Sequence, residues 1–208
     1  PGIFVDILRT DVSDDVRATA ADALSAAADA IVDGDSRGID RETLIVLFDQ
    51  IVRNASDSPI VRRRALGAIA AFGDDLRIVT AIRQTLDEAD QTLVAGAIYA
   101  MGRTASARWI PDLIEFMHSE DAELRFESAR AAGLIGDADA VPELSQLVYD
   151  PDVEVRIAAL DALGAIGGPA AIRVLREVES DESYDEPEDV EEALDAALLT
   201  VNPLDRQS

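Results

Sequence analysis

The sequence predicts an all-α fold, a right-handed α-solenoid of stacked antiparallel helix pairs with a period of about 31 residues. Five apolar anchor residues recur at intervals of 45, 32, 31 and 31 residues, namely Val16, Val61, Leu93, Leu124 and Val155. Around each anchor, apolar residues at positions 0, +4, +5, +8 and +11 share one helical face. Strand-like alternation of apolar and polar residues is absent from the sequence, so helices alone are expected.

Each anchor lies in a long helix whose two ends are marked in the sequence. Three residues before the anchors stand good N-cap residues, Ser13, Ser58, Asp90, Asp121 and Asp152. Glycines nine or twelve residues after the anchors, such as Gly164 and Gly167, fall at the helix ends in register with the repeat. The first long helix is expected over about residues 13–32, which accounts for the first interval of 45 residues.

A second, shorter helix is predicted in each unit between the long ones. The expected ranges are about 40–54, 75–87, 108–118, 139–149 and 169–179. A single helix pair cannot bury its own apolar stripe, so neighbouring pairs must stack to complete the core. This requirement makes the predicted molecule a solenoid.

The repeat pattern is fullest at Asp152–Gly167, which reads D-x-x-V-R-x-x-A-L-x-A-L-G-x-I-G. This pattern resembles the HEAT-repeat superfamily, and the short period is most similar to its phycobilisome-lyase-type (PBS-type) HEAT-like branch. The resemblance covers about residues 12–200 and implies a ladder of Asp–Arg contacts along the stack. Val94 and Glu191 replace the repeat arginine, so the ladder is expected to break at these two positions.

The resemblance implies one HEAT-like repeat domain over residues 1–208, ending in a polar tail at 201–208. The expected repeats are approximately 1–33, 39–73, 75–104, 107–136, 138–167 and 169–200. The chain starts at Pro1, which is consistent either with removal of an initial Met or with a fragment of a longer protein. The sequence leaves these alternatives open.

The charge composition indicates adaptation to high salt. The chain has 42 acidic and 18 basic residues, a formal charge of −24, and all its basic residues are Arg. At molar salt the Debye length is about 3 Å, which removes most of the self-repulsion. This composition resembles that of cytoplasmic proteins from extreme halophiles; the alternative is an acidic scaffold with one basic partner. The chain lacks Cys, a membrane-spanning apolar run and the basic surface that nucleic acid requires.

Two acidic segments carry alternative interpretations. Residues 33–40 alternate carboxylates and Gly like a calcium loop, but Arg37 and Leu44 stand where oxygen ligands belong. A turn in which Asp40 caps the following helix is therefore preferred to a cation site. Residues 179–192 contain nine acidic side chains, which predict either a solvated loop or a contact for a basic partner.

Candidate catalytic residues are few. His118 lies at the end of a predicted helix, where the helix dipole favours a cation, and a surface role is expected. Carboxylate pairs such as Asp14–Asp15 and Asp74–Asp75 fall at predicted turns and caps. The sequence therefore predicts no catalytic residue, no cofactor and no metal site.

The candidate partner-binding residues lie two and six positions after the anchors, away from the core stripe. In this superfamily the long helices line the concave side, which implies that these positions face a partner. The predicted binding residues are Arg63, Tyr99, Phe126, Arg130 and Ile157. Aromatic and Arg side chains are typical anchors of protein interfaces. The alternative is that a turn of register buries some of them between repeats.

Three function classes remain. The preferred one is a non-catalytic protein–protein interaction scaffold, because a solenoid offers a long face for a partner. The second is a bilin-lyase-like enzyme or another enzyme accessory subunit, which rests on the resemblance in repeats alone. The third is a nucleic-acid-binding HEAT-like protein, which the charge of −24 disfavours.

Overall fold

A computed structural model describes residues 2–34, 38–73, 75–181, 184 and 187–201 of the 208-residue chain. Within these residues there are twelve α-helices, two short 3-10 turns and no strand. The chain divides into two compact units, residues 1–104 and 105–208. The predicted residues Asp35, Arg37, Asp74 and much of the polar tail, 202–208, lie outside the described part, as do residues 182, 183, 185 and 186 of the acidic segment.

The first unit contains six helices, three of which form a row of long helices. The helices are α1 (Gly2–Thr10), α2 (Asp14–Val32), α3 (Arg41–Arg53), α4 (Pro59–Ala70), α5 (Leu76–Leu86) and α6 (Gln91–Arg103). Helices α2, α4 and α6 pack side by side and form the long-helix row of this unit. Helices α3 and α5 pack beside each other in the second row. The predicted helix 13–32 is confirmed by α2.

The second unit repeats the same arrangement. Its helices are α7 (Ile110–Met117), α8 (Ala122–Ile135), α9 (Val141–Leu147), α10 (Val153–Ile166), α11 (Gly168–Glu179) and α12 (Glu188–Val201). Here α8, α10 and α12 form the long-helix row of this unit, and 3-10 turns precede α7 and α9. The expected short helices at 108–118, 139–149 and 169–179 are thus present, the first two as a 3-10 turn followed by an α-helix.

Most of the predicted N-cap residues cap their helices in the structure. The side chains of Asp90, Asp121 and Asp152 accept hydrogen bonds from backbone N–H groups in the first turns of α6, α8 and α10. Asp40 likewise caps α3, accepting from the Thr43 N–H at 2.9 Å, as the sequence predicted. Ser58 is different: it makes no capping bond, and Pro59 occupies the first turn of α4.

The anchors form the core, with one correction. Val61, Leu93, Leu124 and Val155 are buried, but Val16 is 42% exposed. Helix α2 packs against α4 and α1, and this packing covers Val16 only in part. Its buried residues are instead Ala18, Ala20, Ala21, Leu24 and Ala28.

Glycines allow the long helices of the second unit to approach closely. A Cβ atom placed on Gly133 would lie 2.9 Å from the Cα of Ala162, and one on Gly164 would lie 3.0 Å from the Cα of Ala197. These distances leave no room for a side chain, so the glycines nine residues after the anchors are contact points between helices. Gly136 ends α8 in the left-handed conformation, with φ of 74°.

A charged cluster links the second row of the first unit. The guanidinium of Arg77 donates to both carboxylate oxygens of Glu42, at 2.6 and 3.0 Å, and to both oxygens of Asp75, at 3.0 and 2.9 Å. These bonds raise the pKa of Arg77, and the hydrogen bond from Arg77 lowers the pKa of Asp75 to about 2. The cluster joins α3 to the start of α5.

Candidate partner-binding surface

The repeat arginines form the ladder that the resemblance implied. Arg62 donates through Nε to the Val52 carbonyl at 2.8 Å and forms an ion pair with Glu88. Arg125 is held bidentately by Asp150, at 2.7 and 2.8 Å, and donates to the Ser119 carbonyl. Each arginine therefore ties the end of the preceding short helix to an acidic residue of the next repeat.

The same arrangement recurs at the first repeat, and it includes an acidic partner that the sequence analysis did not predict. Arg17 donates to the Leu8 carbonyl at 2.8 Å and pairs with Asp57 at 2.7 Å. The acidic partners Asp57, Glu88 and Asp150 escaped prediction because both residue type and spacing vary: Asp57 stands four residues before its anchor, and the other two stand five residues before theirs. Val94 lacks the guanidinium that the other repeats use, and Glu191 replaces it in α12.

The Asp150 carboxyl illustrates the electrostatics of one ion pair of the ladder. Its side chain is only 4% exposed, and burial, the largest single effect, acts to raise its pKa. The hydrogen bonds from the Arg125 guanidinium and the Asp152 N–H, together with the positive charges of Arg125 and Arg156, outweigh burial and lower the pKa overall. The hydrogen bonds between Arg125 and Asp150 also raise the pKa of Arg125. The pair therefore stays ionised and serves structure, because both of its charges are satisfied.

In the second unit, the predicted residues Phe126, Arg130 and Ile157 lie on α8 and α10. Phe126 and Ile157 are partly buried, and Arg130 is exposed. The Arg130 guanidinium carbon lies 5.6 Å from the centre of the Phe126 ring, and its Nη1 lies 3.2 Å from a carboxylate oxygen of the buried Glu127. The aromatic ring is thus held by a cation from its own helix.

Phe126 also lines a groove of 370 Å³ between the starts of α8 and α10. The groove is bounded by Ala122, Glu123, Phe126, Asp152 and Glu154. Asp152 is fixed in place because its carboxylate caps α10, accepting from the Glu154 N–H at 2.9 Å. The sequence analysis singled out Phe126 but not the carboxylates of Glu123 and Glu154, which stand one residue before the anchors Leu124 and Val155.

In the first unit, the predicted residues Arg63 and Tyr99 pack against glycines of the neighbouring helix. A Cβ on Gly67 of α4 would lie 3.1 Å from the Tyr99 ring, and one on Gly96 of α6 would lie 2.6 Å from the Arg63 side chain. Both large side chains remain partly exposed. They therefore join α4 to α6 while keeping surface open, and their role in partner binding stays a prediction.

The other candidate positions lie apart from this surface. His118 is exposed and forms the C-cap of α7. It lines a cleft of 240 Å³ that also contains Arg125 and Asp150, the ladder pair. Among the residues that the structure describes, no group of three or more His, Asp or Glu side chains is arranged to hold a metal ion. Over the same residues, no helix is long and apolar enough to cross a membrane.

Paired helices, two rows within each unit and a recurring arginine contact define the class of helical repeat proteins. Residues 110–195 match the family model described as HEAT repeats. The match includes Asp152–Gly167 and confirms the resemblance of this segment to HEAT repeats. A comparison with curated proteins found no match.

Solved structures of helical repeat proteins share the fold. The complex of CpcE and CpcF of phycocyanin lyase from Nostoc sp. PCC7120 is similar over 80% of this chain and 66% of that one, with 22% identity and a TM-score of 0.60. An engineered protein matches over 97% and 96%, with 23% identity and a TM-score of 0.56. A designed armadillo repeat protein in complex with the peptide (KR)4 matches over 96% and 98%, with 18% identity and a TM-score of 0.55. The α-solenoid fold class predicted from the sequence is confirmed.

Proposed function

We propose that this chain is a non-catalytic interaction scaffold that binds a protein partner on the concave face of its long-helix rows. The observation that carries the proposal is the pair Phe126 and Ile157. These large apolar side chains occupy the same repeat position on neighbouring helices and stay partly exposed. Partly exposed apolar and aromatic residues beside an Arg are typical of protein interfaces.

The proposal includes work at high salt and a cytoplasmic location. It is supported by the charge of −24, the absence of Lys and the many exposed carboxylates. Under molar salt, charges farther apart than about 3 Å are largely screened, so binding energy must come from direct contacts such as those of Phe126. Arg63 and Tyr99 in the first unit, and Arg130 in the second, are proposed to complete the binding residues.

The alternative is an accessory subunit of a bilin-lyase-like enzyme, which the similarity in fold to the CpcE and CpcF complex supports. A lyase assay with a bilin and an acceptor protein would separate it from a scaffold that has no such activity. A nucleic-acid-binding HEAT-like protein is less compatible with the charge of −24. Retention on heparin at high salt would favour that third class.

The scaffold proposal is tested by capture from a cell lysate at molar salt. The immobilised wild-type chain is compared with Phe126→Ala and with the control Leu134→Ala, whose side chain on the same helix is 53% exposed. We expect Phe126→Ala to lose a retained protein that the wild type and the control both keep. Truncation of an interface anchor weakens binding by more than about 1 kcal/mol.

Thermal melting of Phe126→Ala accompanies the capture. Because Phe126 is only partly buried, its loss should destabilise the chain by far less than the roughly 3–5 kcal/mol of a core Phe. A large fall in melting temperature would reject the assignment of Phe126 to a binding face. Equal capture by the wild type and Phe126→Ala would reject it as well.

A further inference from the structure

We infer that the groove beside Phe126 binds a basic side chain, Arg or Lys, from an extended segment of the partner. This inference rests on the proposed scaffold function and names the chemistry of the partner. The groove offers an apolar wall formed by the Phe126 ring and Ala122, and a rim of carboxylates from Glu123, Asp152 and Glu154. Arg and Lys combine an apolar stem with a charged end, and this combination matches the groove.

The charge of the rim selects the occupant. Asp152 is held by its hydrogen bonds to the start of α10, and Glu154 is exposed one residue before the anchor Val155. Three carboxylates around one groove repel an acidic or phosphorylated segment and attract a cation. The occupant that fits both wall and rim is therefore cationic.

The Phe126 ring already accepts a cation within the chain. Arg130 lies 5.6 Å from the ring centre on the same helix. A second guanidinium or ammonium from the groove side would use the same ring by the same physical attraction. The partly exposed ring therefore favours a basic side chain over a purely aliphatic one.

The acidic rim is absent from α4 and α6. The positions that correspond to Glu123 and Glu154, one residue before the anchor, are Ile60 and Thr92 in these two helices, whereas α2 carries Asp15 there. Neighbouring long helices of the first unit therefore do not combine two such carboxylates. The contrast predicts that binding of a basic segment depends on residues of α8 and α10.

The test uses the fluorescein-labelled peptide (KR)4 in a fluorescence anisotropy titration with the full chain at about 1 M sodium chloride. At this salt the Debye length is about 3 Å, so the overall charge no longer attracts the peptide from a distance. We expect Phe126→Ala and Glu154→Gln each to weaken binding at least about fivefold. The matched controls are Leu134→Ala on α8 and Glu115→Gln, an exposed residue of α7. These should weaken binding less than about twofold.

Each outcome decides the inference. Selective loss of binding in Phe126→Ala and Glu154→Gln, with melting of Glu154→Gln unchanged, supports the groove. No binding by the wild type, or equal loss in the controls, overturns it. If the lysate capture still depends on Phe126 while (KR)4 does not bind, the scaffold function stands and only the basic partner is wrong. If neither experiment shows binding, both proposals fail.

Discussion

At the scale of single residues, ionised side chains cap helices and pair with opposite charges. Asp75 shows this clearly, because it caps α5 through its carboxylate and also receives two hydrogen bonds from the Arg77 guanidinium. Its side chain is 14% exposed, so solvent screens this contact only in part. A carboxylate held in this way stabilises the folded chain as long as it stays ionised.

The lowered pKa of Asp75 predicts a defined loss of stability in acid. Its pKa falls from 3.8 to about 2, so its contribution is complete above pH 4 and is lost as the pH falls through about 2. We expect Asp75→Asn to lower the free energy of unfolding by about 2 kcal/mol at pH 6, and by about half as much at pH 3. Urea unfolding of both proteins at constant molar salt measures the difference.

The control for this prediction is Asp6→Asn, an exposed residue of α1. Its effect on the free energy of unfolding should be small at both pH values. A difference between wild type and Asp75→Asn that is the same at pH 6 and pH 3 would contradict the role given to the Arg77 contact.

At the scale of elements, the long helices of the second unit pack through their backbones. Gly133 of α8 faces Ala162 of α10, and Gly164 of α10 faces Ala197 of α12. The contacts leave no space for a larger residue. Such pairs fix the position of one helix on the next through steric fit.

Substitution of Gly133 by Ala tests this packing. In an open helix Ala is favoured over Gly by about 1 kcal/mol, but here the added methyl group would lie 2.9 Å from the Ala162 Cα atom. Because that neighbour is backbone, the helices must shift, and overpacking of this kind destabilises by about 1–3 kcal/mol. We expect a lower melting temperature for Gly133→Ala and no such loss for Gly2→Ala, where nothing lies within 4 Å. A more stable Gly133→Ala would disprove the close contact.

Helix positions could be predicted from the sequence because caps, anchors and glycines repeat in register. Each repeat supplied an independent copy of the same signal, so the starts of α6, α8 and α10 agree with their Asp caps. Exposure of Val16 could not be predicted, since an apolar residue at an anchor position shows the same sequence pattern whether or not its neighbours cover it. The Tyr99–Gly67 contact also escaped prediction, because a glycine in the sequence does not indicate which side chain packs against it.

At the scale of the whole molecule, charge dominates behaviour in solution. The formal charge is −24, and the ion pairs of the described residues, such as Arg62–Glu88 and Arg125–Asp150, join the few cations to individual acids. The 18 Arg side chains can neutralise fewer than half of the 42 acidic ones. The remaining carboxylates repel one another over a distance that grows as salt is removed.

We expect the chain to lose stability as salt is diluted from molar concentration to about 0.1 M, where the Debye length rises to about 10 Å. Circular dichroism melting after dialysis to each concentration measures this. A chloride and a sulfate salt should be compared at equal ionic strength, because sulfate also strengthens apolar burial. Melting temperatures that do not change across the range would contradict adaptation to high salt.

The arginine ladder has a consequence for the speed of folding. Arg125 and Asp150 are 25 residues apart in sequence, and Arg62 and Glu88 are 26 apart. Each of these ion pairs closes a chain loop about as long as one repeat, so the loss of chain entropy on closure is modest. Contacts between near neighbours in sequence give a low contact order, which is associated with rapid folding. These ion pairs therefore allow each helix pair to bind to the next soon after both have formed.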